Sequence, residues 1–437
     1  MLRRWLLLLL CSAVATIAAI AGDPPSPNIV LIVSDDHAWT DYGFMGHPHI
    51  KTPNLDKLAA QSLTFRRGYV TSSLCCPSLA TILTGQYPHQ HRITSNDPPV
   101  TKDLPEGTPR VKDPLFRSGR ETMNQFMDAA PSLPRILGQH GYLSLQTGKW
   151  WQGNFKRGGF THGMSLGDPD SGGRHGDAGL EIGRKTMQPI TDFIATAQSE
   201  KKPFFVWYAP LMPHDPHTPP KRLLDLYRDK APSIHIARYW AMITWFDESI
   251  GQLMEILKSS GSDRNTIVTY VADNGWIQSP DNPRYAPRSK QSPYDGGLRT
   301  PIMIRWPDHI APAQPDVPVS SIDLAPTLLN CAGFPKPDSM QGLDLRDSAA
   351  LAARHGVFGA CFTHNSMDLN RPAASLRWRW AIDDRWKLLI PGPNEPDAPV
   401  ELFDIIADPS ESKNLAPDQP ETTARLRARI NSWWDGN

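Results

Sequence analysis

Hydrophobic positions along the chain fall into two patterns. Asn28–Ser34 (NIVLIVS), Phe204–Ala209 (FFVWYA) and Thr266–Ala272 (TIVTYVA) are unbroken β-branched or aromatic runs. Such runs mark strands buried on both faces. Pro301–Trp306 (PIMIRW) is a shorter version. The segments 54–62, 132–140, 187–198 and 235–258 instead carry helical spacing, the last one long and amphipathic with Gly261 just beyond it. Strands alternating with helices predict an α/β fold, a large and mainly parallel sheet sandwiched by helices. A further helix is expected over 320–329. From Gly333 to Arg354 the chain is punctuated by Pro and Gly and then turns polar, which places a domain boundary near residue 345. Beyond it, the segments 377–382 and 386–390 form a strand pair across Asp383-Asp384-Arg385, and 422–434 closes with a helix. The expected organisation is therefore a leader over 1–21, a large domain over 22–345 and a small C-terminal α+β subdomain over 346–437.

The leader is read from Arg3-Arg4, the apolar run from Trp5 to Cys11, and small residues at Ala19 and Ala21. These fit a signal peptide cleaved before Gly22, and the apolar core is short for a membrane anchor. The mature protein is expected to be exported, periplasmic or secreted, with no membrane span. Lys plus Arg and Asp plus Glu each number 45, so the formal charge is zero and no nucleic-acid partner is expected. Of five cysteines, Cys11 lies in the leader. Cys331 and Cys361 could pair in an oxidising compartment or remain buried thiols, and both readings stay open. Polar stretches over 97–121 and 158–183 read as long loops, which near an active face serve as lids or specificity elements.

The predicted strands end in polar clusters. NIVLIVS runs into Asp35-Asp36, FFVWYA towards Pro213-His214, and TIVTYVA into Asp273-Asn274-Gly275. Open α/β sheets bind ligands at the carboxyl ends of their strands, so these clusters are candidates for one shared site. Asp35, Asp36, Asp273 and Asn274 offer only hard oxygen donors, which favour Ca²⁺ or Mg²⁺ over zinc. Taken singly, each pair also reads as a helix cap or a turn. A different chemistry is carried by Ser73-Leu74-Cys75-Cys76-Pro77-Ser78-Leu79, with Leu83-Thr84-Gly85 following, where a thiol stands just ahead of a Pro-Ser turn and a short helix.

That segment resembles the maturation signature of the type I, formylglycine-dependent sulfatases of the alkaline-phosphatase-like superfamily, usually Cys-x-Pro-Ser-Arg followed by Leu-Thr-Gly. The resemblance extends to Gly148-Lys149-Trp150, Pro213-His214-Asp215-Pro216, Lys290 ahead of Asp295-Gly296-Gly297-Leu298-Arg299-Thr300-Pro301, and the C-terminal ELFD and Asn414-Leu415-Ala416. It implies that Cys75 is oxidised by a maturase to formylglycine, whose hydrate attacks sulfur and whose second hydroxyl then expels sulfate. It also implies that Asp35, Asp36, Asp273, Asn274 and the modified Cys75 hold one divalent ion, usually Ca²⁺. Lys149 and Lys290 are implied to bind sulfate oxygens, and His214 to protonate the leaving alkoxide. The implied substrate is a sulfated small molecule or carbohydrate. Two positions depart from the family pattern, Leu79 where arginine is usual and Trp151 where histidine is usual, and they are read as a coupled change to an apolar contact. Two rival readings are a phosphoester or phosphonate hydrolase of the same superfamily and a silent sulfated-glycan-binding pseudo-sulfatase.

Other candidates are less specific. His89, His91, His162 and His175 lie on loops of the expected active face, as subsite contacts or exposed side chains. His217 is a substrate contact or a loop-satisfied histidine. Trp39, Trp276 and Trp306 are stacking surfaces or core, and Arg299 is expected to pair with a buried carboxylate.

Overall fold

The computed structural model describes residues 26–168, 173 and 175–437. The leader over 1–21, including Cys11, lies outside the described residues, as does part of the 158–183 stretch. Among the described residues, no helix is long and apolar enough to cross a membrane.

Twelve strands are present among the described residues: β1 Asn28–Ser34, β2 Leu63–Tyr69, β3 Leu143–Gly148, β4 His162–Gly163, β5 Phe204–Ala209, β6 Thr266–Ala272, β7 Arg299–Arg305, β8 Val319–Ser320, β9 Val357–Phe362, β10 Leu376–Asp383, β11 Trp386–Pro391 and β12 Glu401–Asp404. The first eight form one sheet in the order β4-β3-β5-β1-β6-β7-β2-β8. Its centre is parallel, with β1 flanked by β5 and β6 and β3 beyond β5. The strand β7 runs antiparallel to both β6 and β2. The remaining four form an antiparallel sheet, β12-β11-β10-β9.

The alternation within β1 explains why the sheet is covered on both sides. Ile29, Leu31 and Val33 pack into one apolar cluster, with the helices Cys75–Thr84 and Leu324–Cys331. Val30 and Ile32 point the other way, into a cluster with Phe246, Ile250 and Leu253 of the long helix Ile234–Ser259. With both faces buried, the strand needs no polar positions. The small sheet joins the large one where Ala360 N–H of β9 donates to the Thr71 carbonyl, just beyond β2.

The helix predicted over 320–329 is split into a 3₁₀ turn, Ser321–Asp323, and the helix Leu324–Cys331. The stretch 97–121 is not loop throughout. Asp113 accepts a hydrogen bond from Leu115 N–H and Pro114 stands first in the helix Pro114–Ala129, so an Asn/Asp cap and an N-terminal proline start a helix inside it. Cys331 and Cys361 are both unpaired and buried, so the thiol reading holds over the disulfide.

Candidate active site

The parallel strands deliver their polar ends to one place. Asp35 and Asp36 follow β1, Asp273 and Asn274 follow β6, Lys149 follows β3, and His214 lies beyond β5. The ends are stitched together by the backbone: Asp35 N–H donates to the Met212 carbonyl, Asp273 N–H to Ser34, and His37 N–H to Asn274. Asp36 sits at φ 60°, a strained conformation for a non-glycine residue that the surrounding bonds hold in place. Gly148 turns the chain at φ 74°, where a Cβ would stand 1.9 Å from the Ala209 carbonyl oxygen. Only glycine permits that approach, and it lets Lys149 N–H donate to the same carbonyl at 2.7 Å.

Charges then meet in a dry setting. Lys149 Nζ lies 2.6 Å from Asp35 Oδ1 and 3.3 Å from Asp273 Oδ2. Lys290, on the connection between β6 and β7, places its Nζ 2.7 Å from the Asp36 carboxylate. Asp273 Oδ1 accepts from Asp36 N–H and Asn274 N–H, and Asn274 Nδ2 donates to Asp36. Burial drives the Asp35 carboxyl up, and burial with Asp35 beside it pushes Asp273 to about 7. Burial also works against the Asp36 charge, yet Lys290, then His214 and Lys149, outweigh it and hold that carboxyl down at about 2. Three carboxyl groups share two ammonium groups, and with Asp35 and Asp273 driven up the two lysines do not keep all three ionised.

Cys75 is the first residue of the helix Cys75–Thr84 and is fully buried. Ligand atoms of Asp35, Cys75 and His214 lie within 4.8 Å of one another, and so do those of Asp35, Asp36 and Asp273. Burial pushes the Cys75 thiol well up, against the opposing pull of Lys149 and Lys290. His214 Nε2 is 3.5 Å from Asp36 Oδ2, while Nδ1 is engaged by the carbonyl and carboxylate of Asp215. Burial lowers its imidazole to about 4, with Asp36 opposing. A cavity of about 280 Å³ opens beside this cluster, lined by Trp151, His175, His214, Trp276, Lys290 and His364 among others.

The sequence as a whole can be set beside known proteins. A family model described as Sulfatase matches residues 27–334, well over half of the chain. The chain belongs to the sulfatase family. Its chemistry is the hydrolysis of sulfuric esters, and its two-sheet architecture is the alkaline-phosphatase-like fold. A second family model, described as N-sulphoglucosamine sulphohydrolase, C-terminal, matches residues 288–433. N-acetylgalactosamine-6-sulfatase of Mus musculus is 30% identical over 78% of this chain and 69% of its own length. Arylsulfatase A of Homo sapiens is 30% identical over 73% of this chain and 67% of its own. A solved structure in complex with its substrate D-glucosamine-2-N,6-O-disulfate superposes with a TM-score of 0.71 over 94% of this chain and 98% of its own, at 19% identity, a likeness of fold.

A divalent cation fits the donor set of this sulfatase. Asp35 Oδ2 and Asn274 Oδ1 are buried without a hydrogen-bond partner, and both belong to the all-oxygen quartet. Buried oxygens left unsatisfied are costly, and carboxyl groups crowded beyond what two lysines keep ionised are of the kind a hard cation holds as carboxylates.

Several polar groups of the site carry no sequence signature. Asn96 Oδ1 accepts from Cys76 N–H at 2.9 Å and so caps the helix that begins at Cys75. Gln152 Nε2 donates to Cys76 Sγ at 2.8 Å. His364 reaches the cavity from the loop after β9, in the small sheet. Of the less specific candidates, His175 lines the cavity and meets the Trp151 ring edge-on at 4.7 Å. His162 is exposed. His91 is buried against Thr81, and His89 stacks on Trp434 at 4.6 Å, so neither is a subsite contact or a freely exposed side chain. His217 packs against Tyr239 and Trp276. Trp276 and Trp306 are buried, while half-buried Trp39 has Arg299 over its ring at 3.9 Å, and Arg299 stands 3.5 Å from the buried Asp295.

Proposed function

We propose that this chain is an exported sulfatase acting on sulfate esters of carbohydrates, through formylglycine made from Cys75 and one Ca²⁺ ion, with Mg²⁺ the other cation that suits the donors. The observation that carries the reading is the meeting of Cys75 with Asp35 and His214, their ligand atoms within 4.8 Å of one another, between two buried lysines. In this reading Asp35, Asp36, Asp273, Asn274 and the modified Cys75 hold the cation, which when bound neutralises sulfate oxygens and favours the ionised nucleophile. Lys149 and Lys290 hold the sulfate from opposite carboxylates, each fixed by burial and so oriented before substrate arrives. His214 turns Nε2 towards the leaving oxygen, because Nδ1–H is held by Asp215. It gives a proton from Nε2 only as the imidazolium, the form that the neighbouring Asp36 favours and burial opposes. Trp151 and Trp276 close the cavity walls around the leaving group. The carbohydrate assignment is supported by the N-acetylgalactosamine-6-sulfatase and glucosamine-disulfate relatives, and the unpartnered buried oxygens of the quartet support a resident cation. Export rests on the leader over 1–21, and the division at residue 345 remains part of the proposal.

The test is mass spectrometry of the tryptic peptide Gly68–Arg92, combined with hydrolysis of 4-nitrophenyl sulfate by the same preparation. An aldehyde or its hydrate at Cys75, in proportion to turnover, is the expected result. Turnover by protein with unmodified Cys75, or preference for the matching phosphate ester, overturns the reading. The match of residues 288–433 favours one second reading, cleavage of a sulfamate S–N bond. N-sulfated and 6-O-sulfated glucosamine, assayed side by side, separate the two.

A further inference from the structure

Lys290 stands on a strained stretch of chain. Arg288 and Gln291, on either side of it, have φ of 59° and 66°, the left-handed region that non-glycine residues keep only where their surroundings dictate it. Here several of the surrounding contacts come from the small C-terminal sheet and the chain after it. Arg377 of β10 donates to the Gln291 carbonyl at 2.8 Å and is itself held by Glu395. Arg288 donates to the Glu411 carbonyl at 2.6 Å, and Tyr294 OH to Glu401 at 2.6 Å. Deeper in, Lys387 of β11, fully buried, lies 2.8 Å from Asp295 Oδ1 and 2.7 Å from Glu411 Oε1. Glu411 also accepts the Asp295 backbone N–H at 2.6 Å. On its other side the stretch is tied to the nucleophile, because Gln291 N–H donates to the Ser73 carbonyl, two residues before Cys75.

We propose that Lys387, Glu411 and Arg377 are positioning residues for Lys290, so that the C-terminal sheet sets where the sulfate-binding ammonium stands relative to Cys75. This rests on the sulfate-binding reading of Lys290 given above. A lysine side chain is a flexible four-carbon stem, and its head is placed only as well as its backbone is. Misplacement by about 1 Å at a reacting centre is enough to cost a large factor in rate. A buried ion triad is a poor source of stability but defines one arrangement of its partners, which is what such a stretch requires. An apolar contact at Lys387 would bury the same surface without fixing Asp295 and Glu411 relative to each other.

The experiment compares Arg377→Ala, Lys387→Met, Lys387→Arg and Lys290→Ala in protein whose formylglycine content has been measured. The readouts are KM and kcat for 4-nitrophenyl sulfate, the inhibition constant of inorganic sulfate, and Tm. Arg377 is partly exposed and its alanine variant is expected to fold. Its KM and sulfate inhibition constant should both rise about tenfold, with kcat per formylglycine changed much less. Lys387→Met should show the same split with a lower Tm, and Lys387→Arg should recover part of it. A purely structural role would lower Tm or the active fraction and leave KM and sulfate inhibition alone, and that result in both Arg377→Ala and Lys387→Met overturns the proposal. If Lys290→Ala itself leaves sulfate inhibition unchanged, the reading of Lys290 has failed and the positioning role falls with it.

Discussion

At the scale of single residues, the two departures from the family pattern are both core positions. Leu79 is 6% exposed and Trp151 is 3% exposed, and both belong to the same core cluster. The Trp151 ring already has cations on it, Arg120 at 5.7 Å and Lys149 Nζ at 5.8 Å. An arginine at 79, four residues after Cys75 on the same helix face, would bring a further charge into the buried core. Leu79→Arg alone should therefore cost about 3 kcal/mol or more and give no gain in activity, while Leu79→Met should stay within about 1.5 kcal/mol. Denaturant titration and 4-nitrophenyl sulfate turnover check this, and a more active, equally stable Leu79→Arg protein would refute it. The oxygen quartet makes a second prediction at this scale. Chelation should lower Tm and Ca²⁺ should restore it, the ion adding about 2.7 kcal/mol of stability when it is free at 100 times its Kd. Asp273→Asn should remove most of that response, which a Tm series against Ca²⁺ concentration would reveal.

Elements show where the sequence could be read and where it could not. β1, β5 and β6 were legible to the residue because a strand buried on both faces has no polar interruptions. β2 (LTFRRGY) was missed because Arg66 and Arg67 break the run, although Arg67 is 4% exposed and anchored on Asp384 and Asp316. The site followed the same division. Asp35, Asp36, His214, Asp273 and Asn274 could be placed by the strands they follow, whereas Cys75, Lys149 and Lys290 needed the family motifs. Asn96, Gln152 and His364 had neither, since their roles depend on loops brought together from distant sequence. One contact between helices is testable for the same reason. The helix Pro53–Ala60 has no side-chain cap of its own, and Asp247 of Ile234–Ser259 supplies one, accepting from Leu55 N–H at 2.7 Å, Asn54 N–H at 3.1 Å and Asn54 Nδ2 at 2.9 Å. Asp247→Ala would strand buried donors at a helix start, and a loss of about 3 kcal/mol in urea unfolding is expected. A loss under about 0.5 kcal/mol would mean that water caps the helix equally well.

Over the whole molecule, the C-terminal helix Pro420–Trp433 is bound back to the large domain through aromatic rings. His89 stacks on Trp434 at 4.6 Å and meets Trp433 edge-on at 5.2 Å, Tyr87 meets Trp433 at 4.9 Å, and Phe358 of β9 stacks with Trp433 at 5.6 Å. This contact ties the end of the last helix to the segment just after the Cys75 helix, so it bears on how firmly the two sheets are held together. Burial among these rings lowers the His89 imidazole to about 4, against 6.5 for the free side chain. Between those two values the unfolded chain takes up a proton that the folded chain refuses. Stability from this residue is therefore complete above pH 6.5, declines as the pH falls, and stops declining near pH 4. Discounted for the partial exposure of the ring, the loss between pH 7.5 and pH 5 amounts to about 1–2 kcal/mol. His89→Phe keeps a ring in the stack and removes the titration. Its stability should accordingly fall less than that of the parent over that interval, by at least about that amount, since His89 also helps to hold the His91 imidazole down and that effect goes with it. Urea unfolding of the two proteins at pH 7.5 and pH 5 measures the difference directly, and parallel declines would show that the clasp does not sense pH through His89.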